Sequence, residues 1–144
     1  MTVHAIHATG VRSPLRLCLA VAAAVGLTGC GPDLETPEGT TRAFVDAMAQ
    51  RDWDGACGLL SHDFVHRSME GNSQYCPVYL ERWHPDTSRY ETLVVRGEAV
   101  ETPDGYRLEV APEDTPEETE EVVVVEESGR LVLLRYPGRD TAIR

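Results

Sequence analysis

The chain contains no lysine. All 13 of its basic residues are arginines, and none of its 24 acidic residues precedes Cys30. Arg12 and Arg16 are thus the only formal charges among the first 29 positions. The remainder sets 11 arginines against 24 carboxylates, a formal charge of −13. So acidic a body repels phosphate backbones and anionic headgroups, which argues against nucleic acid as a partner. Long apolar runs are missing too. The stretch LCLAVAAAVGL at 17–27 has 11 residues, against the roughly 20 that a helix needs to cross the hydrocarbon. No nucleophile elbow, phosphate-binding glycine loop, metalloprotease helix or CxxC pair occurs, and no cofactor is implied.

What is present fits one domain. A chain of 144 residues supports a single modest core, and 42% hydrophobic with 26% charged residues marks a folded chain. The N-terminal 29 residues have the layout of an export signal: a basic section, the apolar run, then the small residues Thr28 and Gly29. Leu27-Thr28-Gly29-Cys30 resembles the lipobox of bacterial lipoproteins. That resemblance implies that 1–29 is a signal peptide, that the Cys30 thiol accepts a diacylglyceryl group, and that cleavage leaves Cys30 as the new N-terminus. The domain would then sit on the extracytoplasmic side of the cell membrane, its membrane contact made through the lipid. Each buried CH₂ contributes about 0.8 kcal/mol and stable anchoring takes more than one chain, which a diacylglyceryl group supplies.

Residues 30–36 read as a polar tether, 37–137 as the domain and 138–144 as a flexible tail. Thr36-Pro37-Glu38 carries the marks of a helix start: a capping hydroxyl, proline in the first turn and an acid at the positive end. Phe44, Val45 and Met48 give this helix an apolar stripe to about Arg51. Asp52 or Asp54 can cap a second helix in which Trp53, Cys57, Leu60 and Phe64 recur at helical spacing. A third covers roughly 73–83, with Cys76, Leu80 and Trp83 on one face and Pro77 in its first turn. Beyond Pro85, segments 90–101, 106–111, 121–127 and 130–136 are rich in β-branched and aromatic residues and read as strands. Tyr106, Leu108 and Val110 alternate with Arg107 and Glu109, the pattern of a half-buried strand. Pro103-Asp104-Gly105 and Ser128-Gly129 mark hairpin turns. Helices followed by antiparallel strands predict an α+β fold, the helices packed on one face of a curved sheet.

The stretch TPEGTTRAFVDAMAQRDWDGACGLLSHDF at 36–64 is similar to the start of nuclear-transport-factor-2-like (SnoaL-like) cone domains. It is more specifically similar to small actinobacterial lipoproteins that carry such a domain behind a lipobox. This resemblance implies a cone with a pocket between sheet and helices, for which Phe44, Met48 and Leu108 are the candidate lining. Proteins of this fold include both enzymes and binding modules, so fold alone does not choose a function.

Of four cysteines, Cys18 belongs to the leader and Cys30 to the lipid, leaving Cys57 and Cys76. In an oxidising compartment they are expected to form a disulfide between two helices. Two buried free thiols, or a zinc site with His62 and His66, are the competing assignments. Acid–base candidates are His62, Asp63, His66, Tyr75, Tyr79 and Tyr106; each is also accounted for as a helix terminus or as packing. His84, before Pro85, is assigned no chemistry. The acidic run 112–121 lacks the order of a calcium loop and reads as a solvated hairpin loop. The leading expectation is a non-catalytic domain that binds a small apolar ligand or an envelope protein. A SnoaL-like enzyme with a pocket His or Asp as general base, and an envelope-assembly role, are the alternatives.

Overall fold

Thr36 caps the first helix, its hydroxyl oxygen accepting the Gly39 N–H at 3.1 Å while its proton goes to Asp33. The computed structural model describes residues 33–69 and 72–138; residues 1–29, expected as a signal peptide, Cys30, and all but Gly138 of the expected C-terminal tail lie outside them. Asp33 also accepts the Glu35 N–H, so residues 33–36, expected as tether, are folded onto the helix start.

The elements are α1 (Pro37–Ala49), α2 (Trp53–Gly58), α3 (His62–Ser68), α4 (Cys76–Trp83), β1 (Leu93–Thr102), β2 (Gly105–Pro112), β3 (Glu120–Glu127) and β4 (Arg130–Arg135), with 3₁₀ turns at Ser73–Tyr75 and Ser88–Glu91. The fold is α+β. The four strands form one antiparallel sheet in the order β1-β2-β3-β4, and α1 crosses it in contact with every strand.

Local chemistry explains most boundaries. Asp52 caps α2 by accepting the Gly55 N–H at 3.0 Å, and Ser61 caps α3 through Phe64 N–H. The β3–β4 turn places both Ser128 (φ 54°) and Gly129 (φ 75°) in the left-handed region, as the tight two-residue hairpin turn requires. Gly105 opens β2 at φ 124°, where an added Cβ would meet the Val124 carbonyl oxygen at 2.5 Å.

Two expectations needed correction. The second helix does not run through Leu60 to Phe64. It stops at Gly58, and Leu59–Ser61 pairs with the outer edge of β4: Ser61 N–H donates to the Leu133 carbonyl and Leu133 N–H to that of Leu59, both at 2.8 Å. This pairing covers a sheet edge that would otherwise be open, and the chain after it, expected as a helix end and loop, restarts as α3. The third helical stretch runs over 73–83 as expected, its first three residues as a 3₁₀ turn leading directly into α4. Finally, residues 90–91 belong to a 3₁₀ turn, and 92 to its cap, rather than to the first strand.

Cys57 and Cys76 are bonded as a disulfide that ties α2 to α4, with Cα atoms 5.9 Å apart. Beneath these helices Phe44, Met48, Leu80, Val110, Val122, Val124 and Leu133 are completely buried, each such side chain contributing on the order of 1.5–3 kcal/mol.

Candidate functional site

The interior expected to hold a pocket is filled. Phe44 and Met48 are fully buried, Leu108 is 2% exposed, and the Phe44 and Phe64 rings each pack 5.2 Å from that of Tyr136. Side chains occupy the space between the middle of α1 and the sheet.

The acid–base candidates do not converge. His62, Asp63 and His66 sit exposed on α3, the two imidazoles 6.0 Å apart between centroids, and Asp63 is paired with Arg67. The backbone N–H of His62 donates to Glu127 at 2.9 Å. Tyr75 and Tyr79 belong to the outer face of α4, where Tyr79 packs against Trp83. Tyr106 lies at the start of β2 and lines a different cleft from His62. No hydrogen bond joins any two of these residues. With both sulfurs in the disulfide, the zinc arrangement with His62 and His66 lacks two of its four ligands. Among the described residues no group of three or more His, Cys, Asp or Glu side chains could hold a metal ion.

A polar cluster does form inside the core, around the histidine assigned no chemistry. His84 is 6% exposed, between Tyr90 and Tyr136, each 1% exposed. Nδ1 lies 3.2 Å from the Tyr90 hydroxyl and Nε2 lies 3.3 Å from that of Tyr136. The Tyr90 hydroxyl donates to the Pro137 carbonyl at 3.0 Å, so its oxygen accepts from His84 Nδ1–H. A neutral imidazole carries one N–H, leaving Nε2 to accept from the Tyr136 hydroxyl. The chain of donors therefore runs from Tyr136 through His84 and Tyr90 to the backbone. Burial, reinforced by the Arg89 charge, lowers the His84 pKa to about 4, and burial also raises that of Tyr90. The cluster is closed to solvent and satisfies its own polar groups, which is the arrangement of a core-specifying network. Trp83 is 46% exposed rather than inward with Cys76 and Leu80, and its neighbour His84 is buried instead. Helical spacing could not reveal this, because Tyr136 is 52 residues away in sequence.

Concavity is found on the outside. A cleft of about 410 Å³ lies where the start of α1 meets the β3–β4 turn, with Leu34, Leu59, Tyr106 and Leu131 as its apolar lining and Arg130, Glu35 and Glu126 around it. Arg130 also lines the neighbouring cleft of about 300 Å³ beside Gly58, Ser73 and Ser128. The outer face of α4 forms a shallow apolar depression of Tyr75, Val78, Tyr79, Arg82 and Trp83. None of these surface features was expected from sequence, since each joins segments remote along the chain or depends on Trp83 facing outward.

Compared with known proteins, the chain matches no family model, no curated protein and no solved structure.

Proposed function

We propose that this chain is an extracytoplasmic lipoprotein, anchored through Cys30, whose nuclear-transport-factor-2-like domain is a non-catalytic interaction module for an envelope protein. The observation that carries the non-catalytic part is the packed interior: Phe44, Met48 and Leu108 fill the volume in which a substrate would bind. General-base catalysis needs a candidate base in a concave site with the partners that orient it; His62 lines the cleft of about 300 Å³ but no other candidate is hydrogen-bonded to it, and Asp63 and His66 lie exposed on α3. Support for the anchor is the order of basic section, apolar run and Leu27-Thr28-Gly29-Cys30. A second reading, capture of a small apolar ligand, is favoured by the cleft of about 410 Å³ and its Leu34, Leu59 and Leu131 lining.

Intact mass of the membrane-extracted protein tests the anchor. Loss of residues 1–29 with acyl mass on Cys30 is expected, and Cys30→Ala is expected to release the protein from membranes; retention after that change would sink the anchor. Native mass spectrometry separates the two binding readings, because a co-purified small molecule lost on Leu131→Arg would replace the protein partner with a ligand.

A further inference from the structure

We infer that the outer face of α4, with Tyr75, Val78, Tyr79, Arg82 and Trp83, rests in the headgroup region of the bilayer that carries the lipid anchor. This inference rests on acylation of Cys30 as proposed above. Three of the five large hydrophobic side chains that the described residues expose are here: Tyr75 at 61%, Val78 at 60% and Trp83 at 46%. They share a face because positions 75, 78, 79, 82 and 83 follow helical spacing, while Cys76 and Leu80 turn the opposite face into the core. On a body with 24 carboxylates, this patch is lined by none; Arg82 is its one charge.

The residue types suit an interface between water and hydrocarbon. Tyr and Trp have an apolar body and a polar tip, which is why they gather at headgroup level, and Arg buries its stem while its guanidinium stays in water. The same types serve protein hot spots, so composition alone does not decide. The tether decides for the membrane. Asp33 is three residues from Cys30, a reach of about 10 Å at full extension, so an acylated domain lies against its own bilayer. The root of that tether and the approach to α4 meet at Arg130, which lines both the cleft of Leu34 and the cleft of Ser73, while the Trp83 end of α4 lies by the end of α1, where Arg51 donates to the Pro85 carbonyl.

The chain has two tryptophans, so Trp53→Phe leaves Trp83 as the sole reporter. The full acylated protein is placed in phosphatidylcholine vesicles with and without brominated acyl chains. Trp83 emission is expected to shift to the blue and to be quenched by about twofold or more, as for side chains buried in the interface. Val78→Glu is expected to reverse both changes while the protein still floats with the vesicles. Should Trp53→Phe unfold the domain, a polarity-sensitive dye on Val78→Cys gives the same readout at an exposed position. Unquenched Trp83 in protein that carries acyl mass and floats overturns the docking face and leaves the anchor intact. The same holds if Trp83 is shielded only at concentrations where a dimer forms, or only when a second protein binds. Absence of acyl mass on Cys30 overturns both the anchor and the docking face.

Discussion

His84 and Tyr90 are held in one protonation pattern: Nδ1–H points at the Tyr90 hydroxyl oxygen 3.2 Å away, and the tyrosine proton is committed to the Pro137 carbonyl. Protonating His84 would place a second N–H against the Tyr136 hydroxyl and a positive charge in the core near Arg89. The native pKa of about 4 lies below the ordinary 6.5. The unfolded chain therefore takes up a proton as pH falls through 6.5, and the folded chain does so only near 4. The group thus removes stability across that window, by about 3 kcal/mol in total at 1.36 kcal/mol per unit. Urea unfolding at pH 7 and pH 4 should show this loss in the wild type, and His84→Gln should lack that share of it. Parallel pH dependence in the two proteins would contradict the buried neutral imidazole.

The Cys57–Cys76 bond closes a loop across a sequence separation of 19, and a loop of that size restricts the unfolded chain by about 3 kcal/mol in the chain-entropy description. Cys57→Ser with Cys76→Ser should lower the unfolding free energy by that amount, read as a lower urea midpoint. Alkylation of the unfolded wild type should add mass at these residues only after reduction.

These two features differ in how far sequence could reach them. The disulfide follows from counting: once Cys18 and Cys30 are assigned elsewhere, one pair is left. Caps and turns were equally legible, because Asp52 and Ser128-Gly129 act on residues within three positions of themselves. The His84 cluster was not, since its geometry depends on Tyr136 and Pro137 returning from the end of β4. The break between α2 and α3 was hidden for the same reason: helical spacing from Trp53 to Phe64 is intact, and only the need to cover the β4 edge interrupts it. The expected pocket failed on volume, which periodicity does not measure. It identified Phe44, Met48 and Leu108 as inward but could not say that they meet.

Two glycines with left-handed backbones separate strain from collision. Gly97 has φ 68° and nothing within 4 Å of an added Cβ, whereas Gly105 has φ 124° with the Val124 carbonyl at 2.5 Å. Gly97→Ala should cost about 1 kcal/mol, from backbone conformation alone. Gly105→Ala must also push β2 from β3 and should cost about 3 kcal/mol. Equal unfolding midpoints for the two variants would show that the close approach at Gly105 is not maintained in solution.

The filled interior makes a prediction of its own. Phe44 is fully buried and its ring packs 5.2 Å from that of Tyr136. Phe44→Ala removes the side chain from a site walled by α1 and the sheet, where neighbours relax only in part, at about 3–5 kcal/mol. Phe44→Leu keeps most of the volume and should cost less, so it serves if the alanine variant does not fold. An apolar void of this kind stays dry and accepts a small hydrocarbon. Benzene should therefore raise the thermal midpoint of the variant and leave that of the wild type unchanged. If the wild type gains as much as the variant, a pocket already exists between helices and sheet, and interior ligand binding displaces surface interaction as the function of the domain.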